Sequence, residues 1–326
     1  MAFMRVEELR NGICEATHEI ALYSAARGWL TEASWTDALP TRSTAKPLLL
    51  ALSLDAVGMS ADRFSSAELA VMSSSHNGEG RHRRLLLSLL ASAGLDPSDL
   101  HLGTHPRIVP GEGLSVMTET PLSHNCSGKH VSSLLVQQGE GFNGSYLDPS
   151  RPLFTYIQKR LEEAVGRQVA LVVDGCGYPT PCLSVPELAA VYACPGDVSA
   201  QLPAILDSML EAPWAVAGAR RLTSELLARG IWAKEGFTGL FVFRLPGREQ
   251  DVLIAKALSG SDTAVETAVH AFVRTCDPSM PVRSAAHIYP DEVIRNDLDE
   301  AVGVQRVNST LAELRPTLPA AGPADE

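Results

Sequence analysis

The sequence predicts a fold of the α+β class, in which antiparallel strand pairs flank a largely helical middle. Short alternating stretches over residues 1–36 suit an opening hairpin. Apolar runs of helical character follow, and residues 186–227 are patterned as helices. A second hairpin is predicted where the apolar runs 239–245 and 251–258 flank a Pro-Gly turn. A last helix is expected over residues 263–275.

Composition and length place the chain among ordinary globular proteins. Its 326 residues can bury a large core, and we expect one catalytic domain over residues 1–312 and a disordered tail rich in proline and alanine over 313–326. The net charge of -11 excludes a function in binding nucleic acids. The apolar runs are too short to cross a bilayer, and no signal-like segment opens the chain. We therefore expect a cytoplasmic protein with no nucleic-acid or membrane partner.

The cysteines are too few and too dispersed for a disulfide framework. Reduced thiols or metal ligands are the better interpretation. The six positions are Cys14, Cys126, Cys176, Cys182, Cys194 and Cys276.

A candidate serine-lysine pair lies at the start of a predicted buried helix. Pro47 suits a first helical turn, and residues 48–52 are all apolar. Ser43 precedes Lys46 by three residues, so a helix would bring the amine beside the hydroxyl. Burial against the leucines would favour the neutral amine, which can act as a base toward serine. Such a pair also occurs by chance on protein surfaces.

Two further segments are dense in polar chemistry. Residues 73–82 form a glycine-containing loop between two apolar helices, where a binding site or a solvated loop can be expected. Residues 124–130 place a thiol, a hydroxyl, an amine and two imidazoles before the apolar run 131–136. A helix beginning there would favour anions and thiolates at its N-terminus. The simpler alternative is a turn with a buried cysteine and a solvated lysine.

The remaining candidates follow predicted strands. The β-branched run 169–173 suggests a core strand that ends at Asp174, which we expect to be hydrogen-bonded or paired with a cation. Lys256 is a cation in an otherwise apolar strand, which is costly unless the ammonium has a partner.

Four motifs, taken together and in this order, resemble the asparaginase II family of the Rhizobium etli type. They are Arg42-Ser43-x-x-Lys46-Pro47, Ser75-His76-Asn77-Gly78-Glu79-x-x-His82, Asn125-Cys126-Ser127-Gly128-Lys129-His130 and Asp174-Gly175-Cys176-Gly177-x-Pro179. The resemblance implies a three-layer fold similar to serine β-lactamases and penicillin-binding proteins, and a homodimer. It also implies two catalytic pairs, Ser43 with Lys46 and Ser75 with Lys256. The substrate-binding residues that it implies are Arg42, His76, Asn77, Glu79 and Asp174.

The resemblance further implies a zinc ion (Zn2+) bound by Cys126, Lys129 and Cys176, with Asp174 nearby. A lysine ligand must be deprotonated, so metal affinity should fall as the pH drops. From the residues alone His130 is an alternative third ligand, because it lies four residues after Cys126 on a helix and imidazole suits zinc. Whether the metal would activate water or position the substrate stays open.

Two departures from the family pattern concern the substrate. Asn77 stands where the family usually has serine, and residues 235–239 replace a Gly-Ala-Glu-Gly stretch with one that contains the bulkier Phe237. We expect an amidohydrolase that cleaves a small primary amide, L-asparagine or a related one. An acyltransferase with the same fold and serine chemistry is the alternative. A non-catalytic zinc or ligand-binding module fits less well, since it has no need of two serine-lysine pairs.

Overall fold

The structure is a computed structural model that describes residues 2–104, 120–248, 250–277, 279, 293–295 and 300–310. Residues 313–326, where we expect a tail, lie outside this part of the chain. Among the described residues, no helix combines the length and the apolar character that crossing a membrane requires.

Strands occur at both ends of the chain and in a short central group. In the described ranges they are β1 (Met4–Arg10), β2 (Ile13–Ser24), β3 (Gly28–Trp29), β4 (Leu39–Pro40), β5 (Leu171–Val173), β6 (Pro179–Leu183), β7 (Trp232–Glu235), β8 (Leu240–Arg244), β9 (Val252–Ala257), β10 (Val293–Arg295) and β11 (Ala301–Ser309).

Helices fill most of the middle of the chain. Within the same ranges they are α1 (Lys46–Ala56), α2 (Ser66–Met72), α3 (Gly80–Ser92), α4 (Ser127–Glu140), α5 (Pro152–Val165), α6 (Val185–Ala193), α7 (Pro195–Val198), α8 (Leu202–Glu211), α9 (Pro213–Val216), α10 (Leu222–Leu227) and α11 (Asp262–Cys276).

The main sheet joins the two ends of the chain. Its strands follow the order β10-β11-β1-β2-β9-β8-β7, with β3 paired to β2, and every ladder is antiparallel. Asn11 and Gly12 both have positive φ, at 49° and 81°, which suits the tight turn between β1 and β2. The expected opening hairpin and the β8–β9 hairpin are both confirmed.

The sheet lies between two helical layers. Side chains alternate across each strand, so Leu240 and Val242 of β8 pack into the core formed with the central helices. Phe241 and Phe243 point to the opposite face, where they pack with residues of α10 and α11. This arrangement confirms the α+β class and the three-layer architecture.

The strand expected to be buried over residues 169–173 is instead an exposed edge. Among the described residues, β5 pairs with β6 alone, in a small sheet of order β4-β6-β5. Val172 is 36% exposed and Val173 is 72% exposed. The prediction of a core strand is therefore wrong, because an apolar β-branched run fits an edge strand as well as a central one. The strand still delivers Asp174 to a buried position.

A close contact between two helices fixes the start of α4. A Cβ atom on Gly128 would lie 1.8 Å from the carbonyl oxygen of Val71, near the end of α2. Real Cβ atoms do not approach backbone oxygens so closely, and a backbone atom cannot move aside as a flexible side chain can. Only glycine therefore allows the segment 124–130 to approach α2.

Replacing Gly128 by alanine should destabilise the protein, because either α4 or α2 must shift to accept the new methyl group. We expect Gly128→Ala to lower the free energy of unfolding by about 2 kcal/mol or more. Gly196→Ala is the control, since Gly196 is exposed and a methyl group added there would meet no atom within 4 Å. Chemical denaturation would measure both, and equal stability of the two variants would contradict the packing argument.

Candidate active site

The hydroxyl of Ser75 lies between two buried lysine amines. Lys46 Nζ is 3.0 Å from Ser75 Oγ and Lys234 Nζ is 2.8 Å from it. Ser75 is 1% exposed, and the two lysines are equally inaccessible. The loop after α2 carries Ser75, the start of α1 carries Lys46 and β7 carries Lys234. Three separate elements of the fold thus converge on one oxygen atom.

Both lysines also donate to other buried oxygen atoms. Lys46 Nζ donates to the carbonyl oxygens of Ser74 at 2.6 Å and Asn125 at 3.4 Å. Lys234 Nζ donates to two oxygens of Glu235, the carbonyl at 3.0 Å and Oε1 at 3.1 Å. Carbonyl and carboxylate oxygens only accept hydrogen bonds. Each amine therefore donates to two oxygens besides Ser75 Oγ. The Ser75 hydroxyl carries one proton, so it can donate to only one of the two lysines at a time, and only when that lysine is neutral.

The pKa of Lys234 is low for a lysine side chain. Burial lowers the pKa of Lys234 to about 8, against the opposing attraction of Glu235, and the nearby Lys46 charge lowers it further. The neutral share of the amine is then small at pH 7 and rises to about half near pH 8. Glu235 itself stays ionised, because Lys234 and Arg221 outweigh its burial and lower its pKa.

Lys234 is the residue of this cluster that was not predicted from the sequence. A usable signal exists, since Lys234 follows the apolar residues Ile231, Trp232 and Ala233 and precedes Gly236 by two positions. A Lys-x-Gly motif on a strand accompanies a Ser-x-x-Lys motif in several serine enzymes. A charge in such an apolar strand needs a partner, and this holds for Lys234 as much as for Lys256.

Lys256 does not form the expected pair with Ser75. Its Nζ donates to the carbonyl oxygens of Thr238 at 2.8 Å and Ala257 at 2.6 Å. It also lies 4.8 Å from the centroid of the Trp35 ring. Both lysines project from the same face of the sheet, but Lys256 is placed two residues further along, opposite Leu240, whereas Lys234 lies opposite Val242. The second lysine at Ser75 is therefore Lys234.

A cavity of about 160 Å³ opens beside Ser43, on the turn before α1. Its lining consists of Arg42, Ser43, His124, Asn125, Cys126, Asp174, Gly175, Cys176 and Phe237. The Ser43 hydroxyl makes no hydrogen bond to any described residue, so it is available to a molecule in the cavity. Ser43 and Lys46, which the sequence predicted to pair, form no hydrogen bond in the described structure. Lys46 is hydrogen-bonded to Ser75 instead.

Two of the expected substrate-binding residues pair with each other at the cavity. Arg42 Nε lies 2.6 Å from Asp174 Oδ1, and Lys129 Nζ lies 3.7 Å from Asp174 Oδ2. The cation partner expected for Asp174 is thus present. Arg42 has a positive φ of 50°, an uncommon conformation for a residue other than glycine. Strained residues of this kind cluster at functional sites.

The other three expected substrate-binding residues lie outside the cavity lining. His76 Nε2 is 2.9 Å from Ser127 Oγ, and its Nδ1 accepts from the N–H of Gly78 at 2.9 Å. Burial lowers the pKa of His76 well below its usual range, so the ring is neutral. Asn77 Nδ2 donates to Ala219 O at 2.9 Å. Glu79 accepts from the N–H of Ala219 at 2.7 Å.

These contacts hold the Ser75 loop against residues 216–221. The N–H groups of Ser75 and Asn77 donate to Val216 O and Ala217 O, both at 2.9 Å. Arg221 donates to Asn77 Oδ1 at 3.1 Å and pairs with Glu235 Oε1 at 3.3 Å. Asn77, one of the two departures from the family pattern, therefore takes part in the support of this loop.

Two thiols and an amine meet on the other side of the cavity. Cys126 and Cys176 both line the cavity, and the Lys129 amine is close enough to both thiols for the three groups to shift one another's pKa. The Cys176 contact and the cations of Lys46 and Lys129 lower the pKa of Cys126 well below its usual range, despite burial. The pKa of Lys129 is raised, because the two cysteines and Asp174 outweigh its burial.

This donor set is compatible with zinc, which prefers sulfur and nitrogen ligands. Only two of the three donors are of the usual kinds, and the described residues contain no cluster of three or more His, Cys, Asp or Glu side chains able to hold a metal. A bound ion would therefore need Lys129 as its third protein ligand. The alternative ligand His130 bonds Tyr146 Oη through Nδ1 at 2.7 Å, while its Nε2 has no partner among the described residues.

Comparisons with known proteins show which family and which solved structures the chain is similar to. Two solved structures are similar to the chain: Mglu in its native form, at 16% identity and a TM-score of 0.39, and a β-lactamase from Mycobacterium bovis, at 15% identity and a TM-score of 0.34. The chain is covered to 74% and 82% in these matches, and it spans 59% of Mglu and 91% of the β-lactamase. No curated protein matches it. The sequence profile of L-asparaginase II matches residues 6–307, nearly the whole chain. The chain therefore belongs to the L-asparaginase II family, a family of amidohydrolases.

Proposed function

We propose that the protein hydrolyses a small primary amide, L-asparagine or a related one, to a carboxylate and ammonia by serine-lysine catalysis. The observation that carries this proposal is the Ser75 hydroxyl held between Lys46 and Lys234, together with a cavity that Ser43 lines. A nucleophile with an adjacent base is what amide hydrolysis requires. Membership of the L-asparaginase II family supports the same reaction.

The proposed steps give each hydroxyl one task. Ser43 attacks the amide carbonyl carbon, because Ser43 is the serine that lines the cavity. Ser75 and its lysines take up the proton that Ser43 loses, and a lysine returns a proton to the nitrogen as the C–N bond breaks and ammonia leaves. Water then releases the carboxylate from Ser43. Mass spectrometry of the protein quenched during turnover should detect the acyl group on Ser43.

Ammonia release from a panel of primary amides tests the proposal directly. The alternative is transfer of the acyl group to an amine, and addition of a competing amine to the same assay separates the two reactions. If no amide releases ammonia and no acylated serine forms, the proposed function is wrong.

We also propose that Cys126, Lys129 and Cys176 hold a zinc ion. The convergence of their side chains supports this set. Zinc would supply a positive charge that polarises a carbonyl group or lowers the pKa of bound water. Binding requires that Lys129 and both thiols lose their protons, so affinity should fall at low pH.

The compartment, the assembly and the domain organisation are proposals too. All six cysteines are free, which supports a reducing compartment such as the cytoplasm. We propose a homodimer on the basis of the family resemblance, and one catalytic domain over residues 1–312. Size-exclusion chromatography with light scattering would test the assembly.

Alanine at Ser43 or at Ser75 should lower kcat/KM by a factor on the order of 10² or more, because each removes a hydroxyl of the catalytic group. Ser73→Ala and Ser74→Ala are matched controls from the same segment. Their hydroxyls are buried without a hydrogen-bond partner among the described residues, so both variants should keep near-normal rates. Steady-state kinetics on the best amide would decide, and full activity of Ser43→Ala and Ser75→Ala would exclude serine chemistry.

Activity should rise with pH through an ionisation near 8, because the neutral form of Lys234 is the one that accepts a proton and its pKa is lowered to about 8. The profile of kcat/KM should then level off on the alkaline side. Lys234→Arg keeps the charge but cannot deprotonate, so its rate should fall on the order of 10²-fold. Lys159→Arg is the control, since the Lys159 side chain is exposed. A Lys234→Arg variant with normal rates and an unchanged profile would rule out Lys234 as the base.

Protein purified without added zinc should contain about one equivalent of the metal, and the double variant Cys126→Ser, Cys176→Ser should lose it. Cys182→Ser, which changes a thiol elsewhere in the chain, should retain it. Elemental analysis of the three proteins measures this, and zinc retained by the double variant would show that another set of residues binds it.

A further inference from the structure

The turn between β7 and β8 is held by Lys256. This lysine is 5% exposed, and its Nζ donates to Thr238 O at 2.8 Å and to Ala257 O at 2.6 Å. Its ammonium also lies over the Trp35 ring, 4.8 Å from the centroid. A buried cation is costly unless its N–H groups are used. The turn carbonyl of Thr238 is one of the groups that stabilise it.

The conformation of this turn is unfavourable by itself. Thr238 has a φ of 65°, which is rare for a β-branched residue, and Gly239 follows with a φ of 69°. Neighbouring elements impose the conformation. The N–H of Gly239 donates to Asp262 Oδ1 at 2.6 Å, and its carbonyl accepts from the N–H of Ala257 at 2.8 Å. Such strain persists only where the surroundings fix it.

The turn places Phe237 in the wall of the cavity that contains Ser43. The guanidinium carbon of Arg42 lies 5.6 Å from the centroid of the Phe237 ring, within the range of a cation–π contact. The cavity measures about 160 Å³. In liquid water this volume is occupied by about five molecules. Sites for drug-sized ligands are larger, at roughly 300–1,000 Å³. An aromatic ring in so small a cavity limits what can enter.

We propose that Lys256 is a positioning residue that fixes the Thr238 turn, and that the turn makes Phe237 the wall restricting the site to short-chain primary amides. This inference rests on the proposed amide hydrolysis for the class of substrate. It assigns Lys256 no proton transfer, which distinguishes it from Lys234. It also gives a physical role to the bulky residue by which the chain departs from its family.

The test compares L-asparagine with L-glutamine, which is longer by one methylene group, in the full-length protein and in three variants. Phe237→Ala should raise the ratio of kcat/KM for glutamine to that for asparagine by about 10-fold or more, since one methylene group that a pocket accepts or rejects is worth roughly that factor. Lys256→Met should shift the ratio in the same direction with kcat for the better substrate largely kept. Lys256→Arg should resemble the unaltered protein, because arginine can donate to both carbonyls but cannot act as a base.

A second measurement does not depend on activity. Hydrogen–deuterium exchange of peptides spanning residues 236–240 should be faster in Lys256→Met than in the unaltered protein and in Lys256→Arg, while exchange in α1 stays the same. Calorimetric binding of the two amides should show the same change in size preference. If no amide is hydrolysed, the proposed function fails, and exchange and binding still decide this inference.

Two results would overturn it. One is unchanged exchange and unchanged size preference in Lys256→Met, which would show that Lys256 does not fix the turn. The other is a loss of kcat on the order of 10²-fold in a folded Lys256→Arg variant. That loss would identify Lys256 as a proton acceptor.

Discussion

The position of the Ser75 hydroxyl between two buried lysine amines is the constraint on which the rest of the site depends. Burying two amines side by side is unfavourable, because each ammonium loses its water and repels the other. Hydrogen bonds to Ser74, Asn125 and Glu235 offset part of this cost. The site is thus stable only when the loop after α2, the start of α1 and strand β7 are all in place.

Close backbone contacts bring the thiol-containing segment to the same place. A Cβ atom on Gly78 would lie 2.4 Å from Ser123 O, and one on Gly128 would lie 1.8 Å from Val71 O. These two glycines let residues 123–128 pack directly against the Ser75 loop and α2. As a result Asn125 contacts Lys46 through its carbonyl, and Cys126 reaches the cavity that contains Ser43. The serine-lysine group and the two thiols therefore form one continuous site.

The strand register of the main sheet places Lys234 and Lys256 at different sites. Lys234 and Lys256 project from one face, but β8 lies between their strands and they are offset by two residues along it. Two residues of a strand span about 7 Å. One amine therefore reaches Ser75, whereas the other reaches the turn that carries Phe237. The proposed proton transfer belongs to the first position, and the proposed shaping of the cavity belongs to the second.

The sequence by itself determined the two hairpins, the helix after Pro47, the helix after Cys126 and the motifs that hold Ser43, Ser75 and Cys126. These features are encoded locally, in turn residues, apolar periodicity and spacing along one element. The tertiary structure decided which lysine meets which serine, that Asn77 supports a loop, and that β5 is an exposed edge. Those outcomes depend on strand register and on contacts between residues more than a hundred positions apart, such as Ser75 and Lys234. A single sequence carries no direct record of such distances. The Lys-x-Gly spacing nominates Lys234, but the choice between Lys234 and Lys256 required the assembled fold.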